Sequence, residues 1–339
     1  MVFHGASAGA GSLALEEIAA PEPADGDLLV RVAVCGVCRT DLDVVDGRLA
    51  PARLPVVPGH QVVGAVSALG ANVRDVRLGA RVGVAWIHSA CGHCAYCRSG
   101  RENLCPDFVS TGCGHDGGYA ELLTVPAAFA HAIPDALSDV HAAPLLCAGA
   151  VGWRALRAAG IADGEPLGLT GFGASAHLVL QLARARYPRS PVYVFARQPA
   201  ERAFALELGA AWAGASAERA PAPLAAIIDT TPAWSPVVDA LGQLAPGGRL
   251  VINAIAKQRG DQHALLRLDY PSHLWMEREI RSVANVTRAD VRETLDAAAT
   301  IGILPTVEEL PLDRANDALD ALRRGDRVRG ARVLRVAAR

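Results

Sequence analysis

A glycine-rich turn between a predicted strand and a predicted helix is the feature that most constrains how this chain folds. Residues 166–170 have the pattern of a buried strand, and residues 175–186 that of a helix. The turn between them, GFGASA, has the G-x-G-x-x-G/A spacing. In that spacing the first glycine permits a tight turn, the second lets a pyrophosphate approach the backbone, and the last small residue permits close packing of helix on strand. The predicted dinucleotide-binding residues are Gly171, Gly173, Ala174, Ser175 and Ala176.

The strand–helix alternation continues beyond this turn. Further strands are predicted at residues 192–195, 225–229 and 249–254, and further helices at residues 200–208 and 237–244. Strands that alternate with helices are typical of a parallel, doubly wound sheet. We therefore predict an α/β domain over residues 151–287.

The first half of the chain has a different pattern, with short Val-rich runs bounded by glycine. Strands are predicted at residues 28–34, 61–69 and 80–86, which favours an antiparallel, barrel-like domain. The end of the chain carries two predicted helices, at 288–299 and 312–323, and a strand at 331–336. We expect residues 1–150 and 288–339 to form one β-rich domain into which the α/β domain is inserted.

Four cysteines stand close together in the arrangement C-x2-C-x2-C-x7-C, at Cys91, Cys94, Cys97 and Cys105. Four thiolates match the tetrahedral coordination of a structural zinc site, which leaves no open position for chemistry. Free or disulfide-bonded cysteines and an iron–sulfur cluster are the alternatives. Residues 91–105 are thus predicted to form a metal-binding lobe.

Three other potential ligands, Cys38, His60 and Cys147, lie far apart in the sequence, so their spacing alone shows nothing. Taken singly, Cys147 in its apolar run is typical of core packing, and His60 beside a glycine is typical of a hydrogen-bonded strand end. Together, two thiolates and an imidazole would form a zinc site with one open position.

The segments GVCRTD, PGHQVVG and CGHCAYCRSGRENLC closely resemble those of zinc-containing medium-chain alcohol dehydrogenases, and the motif order matches over nearly the whole chain. The resemblance implies a GroES-like catalytic domain joined to a Rossmann domain. It also implies two zinc ions per chain, one catalytic at Cys38, His60 and Cys147 and one structural at the four clustered cysteines. The catalytic zinc acts in this family as a Lewis acid towards an alcohol or carbonyl oxygen.

The resemblance assigns roles to residues around the catalytic zinc. Thr40 is expected to start a proton relay, which a solvent-facing Asp43 would end, and Asp41 is expected to orient His60. Trp86 either lines the substrate pocket or packs in the core.

Three positions depart from the family pattern. Gln61 stands where Glu often follows the zinc-binding His, Asp43 stands where many members have a relay His, and Val151 stands where Thr is common. These departures leave the expected reaction class intact and place the turnover rate and the pH optimum in question.

The cofactor preference is predicted from the end of the strand at 192–195. No carboxylate stands there to bind a ribose 2′-hydroxyl group; the sequence continues Ala196-Arg197. Arg197, assisted by Arg202, would instead pair with a 2′-phosphate, so NADP(H) is favoured over NAD(H). The alternative is that Arg197 is an ordinary solvated surface residue.

The function implied is reversible oxidation of alcohols to aldehydes or ketones by hydride transfer to NAD(P)+. A zinc-free quinone or enoyl reductase of the same superfamily and a non-catalytic cofactor-binding protein are the alternatives. The net charge of −2 without a basic stripe disfavours nucleic-acid partners, and no apolar run is long enough to predict a membrane span. A small alcohol or carbonyl substrate, a homodimer or homotetramer, and a cytoplasmic location are expected, since residues 1–16 lack the pattern of a secretion signal.

Overall fold

The computed structural model describes residues 1–5, 12–326 and 329–336, which divide into two compact units. One unit consists of Met1–Ala150 and Asn285–Arg339, and the other of Val151–Ala284. The second boundary thus falls at residue 285, where the sequence predicted 288. Residues 6–11, 327–328 and 337–339 of the predicted β-rich domain lie outside the described residues.

The elements are numbered along the chain. The strands of the described residues are β1 (Val2–Phe3), β2 (Leu13–Ala14), β3 (Asp27–Val37), β4 (Val62–Leu69), β5 (Arg81–Val84), β6 (Ile87–Ser89), β7 (Val109–Ser110), β8 (Leu122–Pro126), β9 (Ala130–Ala132), β10 (Leu167–Thr170), β11 (Val192–Phe195), β12 (Trp212–Gly214), β13 (Leu224–Asp229), β14 (Leu244–Ile252), β15 (Glu279–Ser282), β16 (Val307–Pro311) and β17 (Ala331–Arg335). The α-helices of the described residues are α1 (Arg39–Val45), α2 (Ala95–Arg98), α3 (Asp139–Pro144), α4 (Ala150–Ala159), α5 (Ala176–Arg186), α6 (Pro199–Glu207), α7 (Ser235–Leu241), α8 (Arg288–Ile301) and α9 (Ala315–Arg324).

The first unit is built around the long strand β3. The sheet runs in the order β16-β17-β3-β4-β5-β9, and β8 also pairs with β3. One edge of β3 pairs with β8 along its first half and with β17 along its second half, while β4 lies along the other edge. Alternate β3 side chains, Leu28, Val30, Val32 and Val34, are fully buried, as expected for one apolar face of a pleated strand. The end of β3 therefore brings Cys38 to the edge of a well-packed sheet.

The second unit is a six-stranded sheet in the order β12-β11-β10-β13-β14-β15, and every strand pair in it is parallel. All residues of β10 and β11 are buried, as is typical of a parallel sheet that is covered on both faces. The chain winds outwards in one direction from β10 and in the other from β13. This switch point, at the carboxyl ends of β10 and β13, is where a doubly wound sheet binds its ligand.

Several boundaries differ from the predictions for identifiable reasons. The helix predicted to reach residue 244 ends at Leu241, because Leu244 already begins β14 and pairs with Leu224. Strands β15 and β16 were not predicted: every residue of β15 is exposed, and two exposed glutamates occupy the middle of β16. Such edge strands carry no apolar alternation. No helix in the described ranges has both the length and the apolar character needed to span a membrane.

The packing of β3 predicts a large effect of truncating one of its side chains. Leu28 is 0% exposed, whereas Leu78, in a loop, is 63% exposed. We expect Leu28→Ala to lower the free energy of unfolding by about 2–5 kcal/mol, because it removes buried methyl groups and leaves a cavity. Leu78→Ala should change it by less than about 0.5 kcal/mol. Urea unfolding followed by circular dichroism measures both, and similar losses in the two variants would contradict this account of the core.

Candidate metal centres and cofactor site

Cys38, His60 and Cys147 converge in the first unit. Their ligand atoms lie within 4.8 Å of one another, and Cys38 Sγ is 3.2 Å from His60 Nε2. Cys38 is the N-cap of α1, directly after β3, and His60 lies just before β4. Cys147 lies in a single π-helical turn, Leu145–Gly149, between α3 and α4. Such turns are frequent at functional sites.

Asp41 holds Cys38 and His60 in place with its two carboxylate oxygens. Oδ2 accepts a hydrogen bond from the backbone N–H of Cys38 at 2.9 Å, which completes a capping box at the start of α1. Oδ1 accepts from His60 Nδ1 at 3.0 Å. The side chains of Asp41 and His60 are both buried. The carboxylate therefore directs His60 Nε2 towards the two sulfurs.

The pKa values of Cys38 and His60 depend on each other because the two side chains lie close together. The neighbouring Cys147 thiol and burial raise the pKa of Cys38 well above its ordinary value. Burial alone lowers the pKa of His60, but the Asp41 and Cys38 charges outweigh it and raise this pKa well above its ordinary value. Two sulfurs and an imidazole are a donor set that zinc binds tetrahedrally with one position left open, and the cation would displace the protons. The residues present thus fit a zinc ion.

Trp86 packs edge-to-face against the ring of His60, with ring centroids 4.8 Å apart. Its side chain is nearly buried, at 6% exposed. The indole N–H has no hydrogen-bond partner among the described residues. Trp86 thus supports a candidate ligand directly, a contact that neither sequence alternative specified.

Thr40 and Gln61 lie close to the candidate ligands in sequence and space. The backbone N–H of Thr40 donates to Cys38 Sγ at 3.2 Å, and within the described residues its hydroxyl makes no hydrogen bond. Gln61 is buried, and a Cβ atom at Gly36 would lie 3.0 Å from its side chain. Val151, the third departure from the family pattern, belongs to the second unit.

The expectation of a solvent-facing Asp43 was wrong. Its side chain is only 7% exposed and accepts a hydrogen bond from Arg48 Nε at 2.6 Å, while Arg39 Nε lies 3.8 Å away. Arg48 forms a hydrogen-bonded ion pair with this carboxylate, and Arg39 places a second positive charge nearby. A carboxylate held in this way is a poor terminus for a proton relay.

The four clustered cysteines also come together, with their sulfurs within 4.8 Å of one another. Backbone N–H groups point at the sulfurs: Cys91 donates to Cys105, and Cys94 to Cys91, each at 3.4 Å. Backbone donors from His93 and Cys94 lower the pKa of Cys91 to about 6, whereas loss of solvation and neighbouring cysteines raise the pKa of Cys97 to about 12. Four thiolates at this distance need a cation, and the donor set fits zinc. All eight cysteines are free, so no disulfide competes.

The glycine turn follows β10 at the switch point of the second unit. Gly171 has φ 78°, and a Cβ atom there would lie 3.0 Å from Thr230 Oγ1, so glycine is required. At Gly173 no atom lies within 4 Å of such a Cβ position, which leaves the backbone open to a ligand. Ala176 is fully buried at the start of α5, and Ser175 Oγ accepts from Asn253 Nδ2 at 3.1 Å. Ala174 is partly exposed in the same turn. The open glycine and the helix N-terminus fit a pyrophosphate.

Arg197 and Arg202 differ in how they are held. Arg197 is exposed just beyond β11, after the buried Ala196. Arg202 Nη1 donates to the carbonyl oxygens of Ala196 and Arg197 at 2.9 and 3.2 Å. Arg202 therefore braces the backbone that carries Arg197.

Sequence reasoning overlooked two polar residues beyond β14, Asn253 and Lys257. The one available signal was that Lys257 is the only lysine in the chain.

The double contact of Asp41 predicts that metal binding at Cys38, His60 and Cys147 depends on this carboxylate. We expect Asp41→Asn to weaken zinc binding at that centre about 10–100-fold. The amide has no charge and only one acceptor oxygen, so it cannot accept from both the Cys38 backbone N–H and His60 Nδ1. Metal content after dialysis against graded concentrations of a chelator measures the change. Asp46→Asn is the matched control, since Asp46 ends the same helix and pairs with Arg48 and Arg323 instead. Equal zinc retention in the two variants would refute the role.

Comparison with known proteins places these observations in a family. The family model described as "Alcohol dehydrogenase GroES-like domain" matches residues 24–135. The "Probable alcohol dehydrogenase AdhA" of Mycobacterium tuberculosis is 47% identical over 319 residues, which cover 93% of this chain and 90% of that protein.

Two solved structures agree with the whole fold. The cobalt and zinc bound thermostable alcohol dehydrogenase from Pyrobaculum aerophilum has 27% identity and a TM-score of 0.87, over 99% of this chain and 98% of that chain. A protein from Sinorhizobium meliloti described as a zinc-binding dehydrogenase, bound to NADP, has 26% identity and a TM-score of 0.84, over 97% of each chain. The predicted α/β class, with a GroES-like domain and a parallel Rossmann sheet, is confirmed. The chain belongs to the medium-chain alcohol dehydrogenase family.

Proposed function

We propose that this protein oxidises a small alcohol to an aldehyde or ketone, reversibly, by hydride transfer to a nicotinamide cofactor with the assistance of zinc. The observation that carries the proposal is the convergence of Cys38, His60 and Cys147, whose ligand atoms lie within 4.8 Å. Three protein ligands of this kind leave a fourth position for a substrate oxygen. The 47% identity to a protein named as a probable alcohol dehydrogenase supports the same reaction class.

The bound groups supply the reactive chemistry: zinc a Lewis acid for the alcohol or carbonyl oxygen, and the nicotinamide an acceptor for the hydride. The protein's own residues prepare the site. Asp41 keeps the proton of His60 on Nδ1, so that Nε2 presents its lone pair to the metal position. The Thr40 hydroxyl is not engaged by the described residues and can both accept and donate a proton, which removal of the alcohol proton requires.

Asp43 has no proton-transfer step in this proposal. Its buried carboxylate is already compensated by Arg39 and Arg48, and so it positions these two arginines at the start and just beyond the end of α1. The four clustered cysteines would hold a second zinc ion, and because they would supply four protein ligands, we assign their lobe a structural role.

The cofactor preference that we propose is NADP(H) over NAD(H). Beyond β11, Arg197 is exposed and no carboxylate stands at the strand end to bind a 2′-hydroxyl group. The hydrogen bonds from Arg202 to the carbonyl groups of residues 196 and 197 support the same segment. A guanidinium group can pair with a phosphate through two parallel hydrogen bonds.

We also propose that the protein assembles as a homodimer or homotetramer. Strand β15 is an edge of the parallel sheet, and Ile280 within it is 44% exposed. The preceding segment exposes further large apolar side chains, with Leu266 at 89%, Tyr270 at 61% and Trp275 at 55%. An exposed apolar patch beside an open sheet edge is typical of a subunit interface.

The zinc content and the activity of a Cys147 variant test the proposed function together. We expect the unmodified protein to hold two zinc ions per chain and to oxidise benzyl alcohol or 2-propanol. Cys147→Ala should retain about one zinc and lose activity by at least about 100-fold, because the open metal site is lost. Cys113→Ala is the matched control: this thiol is buried, donates to the Ala50 carbonyl group and lies outside both cysteine clusters.

Two outcomes would contradict the proposal and would favour the alternatives. Full activity of Cys147→Ala with one zinc would favour a zinc-free reductase. Zinc-loaded protein that turns over neither alcohols nor the matching carbonyls with either cofactor would favour a non-catalytic, cofactor-binding protein.

The exposed Arg197 predicts a specific effect on cofactor use. The unmodified enzyme should have a lower Michaelis constant for NADPH than for NADH, and Arg197→Ala should raise the constant for NADPH about tenfold, which corresponds to the loss of a charge-assisted hydrogen bond. The constant for NADH should change little. Arg189→Ala serves as the control, since Arg189 pairs with Asp163 just before β11, at the amino end of the strand. Equal constants for the two cofactors in the unmodified enzyme would refute the preference.

A further inference from the structure

We propose that Lys257 is a positioning residue for cofactor binding: its buried ion pair with Asp229 holds the chain after β13 against the glycine turn and so fixes the shape of the pyrophosphate site. The inference rests on the dinucleotide binding proposed above and adds to it a residue outside the glycine motif.

Lys257 is the only lysine among the 33 Lys and Arg residues of the chain, and its side chain is 9% exposed. Its ammonium group donates to the carboxylate of Asp229 and to the carbonyl oxygens of Thr231 and Ala233, at 2.7 and 3.0 Å for the two carbonyl groups. An ammonium group has three donors, and all three are used. An arginine would offer a larger, planar group whose donors are fixed in one plane, so it is not equivalent to an ammonium group here. The geometry therefore accounts for a lysine at this one position.

Asp229 connects the ends of two neighbouring strands. It is the last residue of β13 and is fully buried. Its Oδ1 accepts hydrogen bonds from Thr170 Oγ1 at 2.5 Å and from Thr231 Oγ1 at 2.8 Å. Its Oδ2 accepts a hydrogen bond from Lys257 Nζ. Thr170 is the last residue of β10 and immediately precedes the glycine turn. Asp229 of the ion pair therefore contacts Thr170, the residue that directly precedes the predicted cofactor contact Gly171.

The segment held by the pair packs directly against the turn. Thr230 donates to the Thr170 carbonyl oxygen from both its backbone N–H, at 3.0 Å, and its hydroxyl, at 2.9 Å. A Cβ atom at Gly171 would lie 3.0 Å from Thr230 Oγ1 and 3.0 Å from Thr231 Cγ2. Any movement of Thr230 and Thr231 would therefore move the turn that offers its backbone at Gly173.

A second set of contacts ties the segment after β14 to the same region. The Gln258 backbone N–H donates to the Pro232 carbonyl oxygen at 2.7 Å. Asp261 Oδ2 accepts from the backbone N–H groups of Trp234 and Ser235, each at 2.8 Å. Lys257 precedes Gln258 in the chain and makes its own contacts with Asp229, Thr231 and Ala233. The ends of β10, β13 and β14 therefore form one hydrogen-bonded support beneath the glycine turn.

The ion pair between Lys257 and Asp229 contributes more to the positioning of the loops than to the stability of the fold. Desolvation of two buried charges offsets most of their attraction, so a buried ion pair adds little net stability compared with apolar residues of similar size. What the pair does supply is a set of directed hydrogen bonds, which hold the loops in one arrangement. Pre-organised backbone donors are what close binding of a pyrophosphate needs.

The test compares ligands with and without a pyrophosphate. Lys257→Met alone would leave Asp229 buried without a counter-charge, so the principal variant is Lys257→Met with Asp229→Asn, which removes both charges. Isothermal titration measures the dissociation constants of NADP+, of 2′-phospho-ADP-ribose and of adenosine 2′,5′-bisphosphate, which lacks the pyrophosphate. We expect the first two to bind at least about tenfold more weakly and the third to change less than about twofold, with zinc content unchanged.

The matched control is Arg249→Met with Glu279→Gln. This variant removes an ion pair that links β14 to β15 in the same unit, away from the carboxyl ends of β10 and β13. It should leave all three dissociation constants within about twofold of the unmodified protein.

Three results would overturn the proposal. The first is unchanged NADP+ binding by the double variant, and the second is equal weakening of all three ligands, which indicates a merely structural role. If the double variant does not fold, Lys257→Arg supplies the test, because it keeps the charge and changes the donor geometry. The third result would then be a Lys257→Arg variant that binds NADP+ with the same affinity as the unmodified protein. Failure of the unmodified protein to bind any dinucleotide would instead refute the proposed function, and this inference with it.

Discussion

The carboxylate of Asp41 is the contact on which the geometry of the candidate metal site in the first unit depends. It is the N3 residue of α1, and one of its oxygens caps the backbone at Cys38 while the other orients His60. Helix capping is a local effect of sequence, whereas contact with His60 requires the strand pairing that brings residue 60 beside α1. One buried side chain thus couples the start of a helix to the geometry of a metal centre. Cys147 is brought to the same site differently, by the single π-helical turn Leu145–Gly149.

The two candidate metal sites differ in the surroundings of their sulfur atoms. In the four-cysteine lobe, backbone N–H groups point at the sulfurs and stabilise the thiolate form of Cys91. In the three-ligand centre the groups are buried together, and the pKa values of Cys38 and His60 are both raised. The ligand sets distinguish the two sites further: four cysteines would enclose a zinc ion, whereas two cysteines and one histidine would leave one coordination position open.

The parts of the structure that follow from local pattern were predictable, and the parts that depend on tertiary partners were not. The strand–turn–helix around Gly171 and the spacing of the four cysteines are encoded within short stretches of chain. The burial of Asp43 is not, because it depends on how Arg48 folds back over α1. Strand β15 carries no apolar alternation and exists because β14 offers it a partner. Bringing Cys38, His60 and Cys147 together required a family resemblance, since no local rule connects residues so far apart.

The use of a single lysine has a consequence for the chemical reactivity of the protein. Reagents that acylate or cross-link proteins through lysine need an accessible, unprotonated side-chain amine. The single lysine side chain of this protein is only 9% exposed, forms an ion pair with Asp229 and donates hydrogen bonds to two backbone carbonyl groups. The positively charged side chains other than Lys257 and any protonated histidine are therefore arginines. The side chains of the folded protein are a poor target for amine-directed modification or immobilisation.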